Sequence, residues 1–426
     1  MTRFSSPQGQ MPANPPALPR LPAPPDLQDW AGEGLCVFAR DGAWQVRQAP
    51  VETLRIAADD QPGLDALPER VGAALARHPG SDACGLISYE AGRLLHGESC
   101  GHAPVVPAAV VYVYAGSGAR AAGESRRERR SHISPLSPVS PGGEHETDWR
   151  LVAGFESDTG EAGYQQGIAR IRDYLAAGDC YQVNYARRFS ARCLGDSRAA
   201  WLRLLADHPA PHACYFDWGD GQVFGVSPER FIQVRNGRVR TEPIKGSAPR
   251  GASDEDDAAL ARQLLGSSKD RAENLMIVDL LRNDLGRVCL AGSISAEPLF
   301  ELQRFSNVQH LVSTVSGELR PEVSPLAALL ACFPGGSITG APKKRAMQII
   351  AELEPTARGF YCGSFFHLDR DGNLDSNILI RTLQRRGDVL HCHGGGGITY
   401  DSQAEQEYAE SLFKVEKLMA SVTGEG

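Results

Sequence analysis

Two residue types that together can carry out addition and elimination chemistry flank one β-hairpin: Glu229 and Lys245. The turn is Asn236-Gly237, a type I′ dipeptide in which both positions take positive φ, joining FIQVR to RVRTEPI. Pairing symmetrical about that turn sets Glu229 opposite Ile244 and beside Lys245, at the open end of the ribbon. A carboxylic acid there could pass a proton while a neutral lysine attacks an electrophilic carbon. Spacing alone favours a surface cross-strand ion pair between the same two residues, contributing only about 0–1 kcal/mol. Strict alternation points them to opposite faces, so the chemical reading requires a bulge. Pro228, which cannot donate to a ladder, is the candidate for it. Gly246-Ser247, directly after the lysine, lets backbone approach a ligand closely.

Glu273, in KDRAENLMIVDLLRND, and Glu410, in the last helical stretch, place two carboxylates on separate helices. Such a pair suits Mg2+, which keeps several waters and takes one or two protein ligands. It is also what two solvated helix faces look like. GGSITGAPKK (335–344) imitates a phosphate-binding loop through Gly335 and Gly340, yet Ala341-Pro342 stands where Lys-Ser/Thr belongs. A tight loop opening a helix is expected instead of a nucleotide site built on Lys343. Four glycines at 394–397 follow a β run and would offer backbone N–H groups to a carboxylate, or form a flexible turn. His391 and His393 share a strand face without a third ligand, so ordinary strand residues are expected. The acidic run Asp254 to Asp257 suits a helix N-terminus.

The chain that must position these groups has 426 residues, with 44 Lys+Arg against 52 Asp+Glu and a net charge of −8. That balance argues against phosphate-backbone binding, so an anionic small molecule has to be held by placed cations, dipoles or a metal. No apolar run approaches the roughly 20 residues of a membrane span, and the N-terminus does not read as a secretory signal. The ten cysteines form no CxxC pair. A cytoplasmic protein with reduced thiols, no zinc site, and neither nucleic-acid nor membrane partners is expected.

Residues 1–28 hold eight of the 28 prolines and read as a disordered, polyproline-like tail. Short strands and one helix, 64–77, fill a region over 29–115. A second break, 116–147, carries SRRERR and SPLSPVSPGG, and 148–424 reads as one folded unit. In that unit Tyr164, Ile168, Ile171 and Leu175 mark a helix ending at Gly178. Strands follow at 181–189, 214–218 and 222–226, then the hairpin, with helices near 254–282 and 339–352. Further strands fall near 360–367 and 377–383, with 391–399 after them. Tyr408, Leu412, Val415, Met419 and Val422 form one apolar stripe on a closing helix. Hairpins interspersed with helices argue for an α+β fold of antiparallel sheets.

Six ordered segments resemble the chorismate-utilising enzymes: PIKGSAPRG (243–251), KDRAENLMIVDLLRNDLGRV (269–288), HLVSTVSGEL (310–319), FPGGSITGAPKKRAMQII (333–350), YCGSFFHLDRDGNLDSNILIRT (361–382) and GGGGITYDSQAEQEYAES (394–411). The likeness covers about 160–420, with GLISYEAGR (85–93) matching an N-terminal strand. It implies the family's α+β sandwich, surrounded by helices. Position 245 separates the branches. Anthranilate and isochorismate synthases carry Ala there, aminodeoxychorismate synthases carry Lys. The resemblance therefore implies that Lys245 attacks C2 of chorismate while the C4 hydroxyl leaves. Ammonia then expels the lysine, giving 4-amino-4-deoxychorismate for p-aminobenzoate and folate synthesis. It makes Glu229 the general acid/base, Glu273 and Glu410 the Mg2+ ligands, and Gly246, Ser247, Tyr361, Arg381, Gly395, Gly396 and Gly397 substrate contacts. His310 falls near the leaving group.

Gln182 stands where isochorismate synthases carry a water-activating lysine, which argues against water as nucleophile. Ser247 replaces a commoner Thr and keeps the hydroxyl. No LLDS-type segment occurs, so no bound tryptophan is expected. With no GxCxG elbow, ammonia is expected from a separate glutamine amidotransferase subunit, and release of pyruvate from another enzyme. The alternatives are an anthranilate synthase component and a non-catalytic chorismate-binding subunit.

Overall fold

The structure, a computed structural model, describes residues 21–25, 27, 30, 32–98, 101–116, 149–304 and 308–423. The tail expected over 1–28 and the break expected over 116–147 lie almost wholly outside these. Where the former is described the chain is anchored: Leu27 is buried, and Trp44 donates its indole N–H to the Pro22 carbonyl at 2.9 Å.

Two large sheets, in which every described strand pair is antiparallel, carry an α+β fold. The first runs Gly340–Ala341, Gln182–Leu194, Val389–Ile398, Thr382–Arg386, Gln222–Ser227, His212–Asp217, Cys36–Arg40, Ala43–Arg47. The second runs Ser295–Ala296, Val315–Glu318, Arg238–Thr241, Arg230–Arg235, Leu374–Asn377, Ser364–Leu368, Asp82–Ile87, Ala109–Tyr114, Glu52–Ile56. Early strands thus share both sheets with late ones: Val37 pairs with Tyr215, and Leu86 with Phe365.

Alternation builds the layers. Cys36 and Phe38 face Cys84, Leu86, Tyr112, Phe216 and Phe365 between the sheets, while Val37 and Ala39 point outward to Trp201, Leu204, Val415 and Leu418. The outer face of the second sheet packs on the helices Leu67–Arg77, Ser268–Gly286 and Lys343–Leu353. At the apolar coefficient of about 25 cal/mol per Å2, each wholly buried Leu or Phe contributes about 1.5–3 kcal/mol to this assembly.

Local signals place most elements. The helix Glu161–Ala176 ends before Gly178, whose φ is +81°. Ser253 caps the helix Asp254–Gly266 through Asp256 N–H, so the acidic run does open a helix. A second cap, Ser267, divides the stretch near 254–282 into two helices. Residues 339–342 are not helical: Gly340–Ala341 pairs with Val183 and Gln182, and the helix begins at Lys343. The closing helix, Ala404–Thr423, departs from its expected stripe. Leu412 is exposed, and Glu407, Ser411, Val415, Leu418, Met419 and Val422 are buried, because the first turns lie over the glycine run and need small or polar side chains there. The nine described cysteines are buried and unpaired. No described helix is long and apolar enough to cross a membrane.

Candidate active site

Glu229 lies where the chain passes from Gln222–Ser227 in the first sheet to Arg230–Arg235 in the second. Its N–H donates to Ser227 Oγ at 3.3 Å, and its carbonyl accepts Ile378 N–H at 3.1 Å, so the backbone is fixed on both sides. The residue is 6% exposed. Burial pushes its carboxyl up to about 7, against the opposing pull of the Ser337 hydrogen bond and the charges of Lys245 and Arg381. That shift brings the acid toward its protonated form near neutral pH, the form a general acid requires.

Lys245 reaches the same place by another route than hairpin symmetry predicts. The ribbon keeps the expected register, Arg235 to Arg238 and Gln233 to Arg240, but its second strand ends at Thr241. The segment Ile244–Pro249 leaves for a separate three-stranded sheet with Val308–Val312 and Glu301–Arg304. Ile244 therefore faces Val312 rather than Glu229. The bulge that the chemistry needs falls at Lys245-Gly246: these two residues oppose one, Leu311, between the Ile244–Val312 and Ser247–His310 pairs. Gly246 makes it feasible with φ +82°, and a Cβ there would sit 3.0 Å from Asp270 Cβ and Leu264 Cδ1. Burial holds the Lys245 ammonium below its ordinary value and Lys414 adds to this, while Glu273, Glu229 and Glu410 pull the other way. The acid is raised and the amine lowered, so each is brought toward the neutral form.

Arg381 interacts with Glu229 and with His310, which Ser247 joins two residues after Lys245. Ser247 Oγ and His310 Nδ1 share a 2.7 Å hydrogen bond, and burial together with the Arg381 charge lowers the imidazole to about 4, leaving it neutral. Arg381, held at φ +49° with its carbonyl accepting Val226 N–H at 3.0 Å, makes no side-chain hydrogen bond or ion pair among the described residues. Tyr361 stacks on His393 with centroids 4.7 Å apart and planes 7° apart, which gives that histidine a packing role. His391 hydrogen-bonds Ser190 at 2.8 Å.

The glycines 394–397 are neither a strand end nor a loose turn. They pair inside the strand Val389–Ile398 with Arg187, Ala186, Tyr185 and Asn184. Close approach dictates their size: a Cβ on Gly394 would overlap the Ser411 carbonyl, one on Gly395 the Tyr185 carbonyl, and one on Gly397 the Gln182 amide nitrogen. Gln182, itself buried, presents an Oε1 with no partner among the described residues.

Glu273 and Glu410 face Lys245 from two helices. Lys269 Nζ lies 4.0 Å from Glu273, and Lys414 Nζ lies 2.7 Å from Glu410 and donates to the Gly395 carbonyl at 2.9 Å. Burial raises the Glu410 carboxyl, but Lys414, Lys269 and Lys245 outweigh it and hold it below its usual range. No three acidic, imidazole or thiol groups converge for a metal among the described residues. A cation here would take these two carboxylates and fill its shell with water and ligand oxygens, a donor set that fits Mg2+.

Sequence reading missed Ser337, whose Oγ donates to Glu229 Oε1 at 2.8 Å, and Lys414. The spacing of Lys414, one turn after Glu410, could have shown the second; nothing local shows the first. The phosphate-loop imitation is ruled out at Lys343, whose Nζ is buried against Asp284 at 2.8 Å and the Cys332 carbonyl at 2.7 Å.

Residues 34–420 match the family described as chorismate binding enzymes. The chain belongs to that family. Among curated relatives it is 45% identical over 272 residues to aminodeoxychorismate synthase component 1 of Escherichia coli, covering 64% of this chain and 60% of that protein. It is 42% identical over 259 residues to anthranilate synthase component 1 of Bacillus caldotenax, covering 61% and 51%. The chain thus spans about 60% or less of the length of these relatives. Among solved structures, anthranilate synthase component I of Streptococcus pneumoniae superposes with a TM-score of 0.69 at 26% identity, covering 98% of this chain and 95% of that one. The menaquinone-specific isochorismate synthase of Escherichia coli gives 0.68 at 19%, covering 92% and 88%, a likeness of fold.

Proposed function

We propose that this chorismate-binding family member is an aminodeoxychorismate synthase component that aminates chorismate through a covalent adduct on Lys245. One observation carries the reading: a bulge turns a lysine of lowered proton affinity into a cluster with a buried glutamate of raised proton affinity. That arrangement supplies a nucleophile and an acid at once.

Lys245 Nζ bonds to ring C2, the double bonds shift, and the C4–O bond breaks as Glu229 gives its proton to the departing hydroxyl. Ammonia bonds to C4, the shift reverses, and the C2–N bond breaks with its electron pair returning to Lys245. The new C4 ammonium hands a proton to Glu229, restoring the acid. Water is the only by-product, and the enzyme ends as it began. Arg381, its guanidinium otherwise uncommitted, suits bidentate capture of a substrate carboxylate. Gly246, Ser247, His310, Tyr361 and Gly395 to Gly397 shape the ring pocket. Gln182 Oε1 can accept an N–H of the incoming ammonia. Mg2+, held by Glu273 and Glu410, would neutralise a substrate carboxylate. The ammonia source is a glutamine amidotransferase subunit, and the setting is the cytoplasmic route to p-aminobenzoate and folate.

Mass spectrometry of protein soaked in chorismate and Mg2+ without ammonia tests this. A covalent mass on the Lys245 peptide that ammonium discharges is expected. Fluorescent anthranilate on adding ammonium, with no adduct, would identify an anthranilate synthase component. Chorismate binding without turnover would identify a non-catalytic subunit.

A further inference from the structure

The segment Phe333 to Pro342 carries two consecutive glycines, Gly335 and Gly336, and both are packed against protein. A Cβ on Gly336 would overlap Leu280 Cδ2, and one on Gly335 would sit 2.9 Å from Ile378 Cδ1. The loop is seated between the helix that carries Glu273 and the segment that fixes the Glu229 backbone. It is also held from within. Thr339 Oγ1 donates to the Gly335 carbonyl at 2.9 Å, Arg358 Nη1 to the Ile338 carbonyl at 3.0 Å, and Asn184 N–H to the Thr339 carbonyl at 2.7 Å. The one hydroxyl that this rigid turn, Gly336–Ile338, offers inward belongs to Ser337, and it meets Glu229 Oε1 at 2.8 Å.

We infer that Ser337 is a positioning residue: its hydroxyl, donated to Oε1, fixes the Glu229 carboxyl in one rotamer and leaves Oε2 as the oxygen that carries and delivers the proton. This rests on the reading of Glu229 as proton donor. A carboxylic acid has one carbonyl-like oxygen and one O–H, and a donor on Oε1 selects the former role for it. Glu229 Oε2 has no hydrogen-bond partner among the described residues, so it stays open to a substrate hydroxyl. The hydroxyl also favours the ionised acid, partly opposing burial. A glutamate has three side-chain torsions, and a fixed donor on one oxygen narrows the positions its carboxyl can take. Misplacing a reacting group by about 1 Å costs on the order of a hundredfold in rate.

The test compares kcat/KM against pH for the wild type, Ser337→Ala and Ser337→Thr, with ammonium as nitrogen source. In Ser337→Ala, kcat is expected to fall tenfold or more with little change in chorismate KM. The descending limb set by Glu229 should move up by about 0.5–1 pH unit, since one donor to the ionised form is gone. Ser337→Thr, which keeps the hydroxyl, should restore both within about threefold. Equal losses in Ala and Thr, or a loss in Ala with an unmoved limb, overturn the inference and leave Ser337 a packing residue. A wild type lacking a descending limb, or forming no Lys245 adduct, overturns it together with the parent reading. That failure is told apart because it appears before any Ser337 variant is made.

Discussion

Replacing Glu229 with glutamine should stabilise the protein while removing its chemistry. The carboxyl is pushed up to about 7 from an ordinary value near 4.5 because it is buried with one hydroxyl donor. Below the unfolded value the acid is protonated in both states and burial has little effect on stability. As pH rises through the interval, the unfolded chain releases its proton first, so stability falls at about 1.4 kcal/mol per pH unit. The slope flattens once the folded protein also ionises, above pH 7. The total loss is about 3 kcal/mol by pH 8. Glutamine is uncharged throughout, nearly isosteric, and its carbonyl can still accept from Ser337. Urea unfolding of both proteins from pH 4.5 to 8.5 should therefore give a stability difference that opens in favour of Glu229→Gln by about 3 kcal/mol, while turnover drops by about 10²–10⁴. Curves that stay parallel across that range would show the carboxyl to be solvated, and the reasoning from burial to acid catalysis would fail with them.

Lys343→Met should destabilise the protein by about 3–5 kcal/mol, leaving Asp284 buried without a counter-charge. The paired Lys343→Met, Asp284→Leu variant should recover most of this in thermal melts. Gly394→Ala places a methyl on the Ser411 carbonyl, so urea midpoints should report a loss of about 1–3 kcal/mol. The displaced closing helix should weaken any Mg2+ dependence through Glu410. Chelating Mg2+ should lower chorismate affinity at least about tenfold by calorimetry, and Glu273→Gln or Glu410→Gln should abolish the difference that the metal makes.

The parts of the site legible in the sequence were those set by neighbours along the chain. The Asn236-Gly237 turn and its register follow from local backbone preference. So do the helix opening at the acidic run from Asp254 and the helix stop at Gly178. What local pattern could not show was which sheet receives Ile244–Pro249, because Val312 wins that pairing from outside the hairpin. Leu412 follows apolar periodicity yet is exposed, since the helix spends its inward face on the glycine strand. Ser337 and Glu229 are joined only by tertiary packing. The six motifs carried the family; the bulge at Lys245-Gly246 and the Ser337 hydroxyl on Glu229 had to be seen in three dimensions.

The interleaving of early and late strands bears on how the protein is made. Leu86 has its neighbour Phe365 only after most of the chain has left the ribosome, on the order of tens of seconds later at ordinary translation speeds. Until then Asp82–Ile87 and Ala109–Tyr114 form, with Glu52–Ile56, a hydrophobic ribbon with an open edge. Such an edge is a template for aggregation. An amino-terminal fragment ending before Ser364 should accordingly be recovered in inclusion bodies.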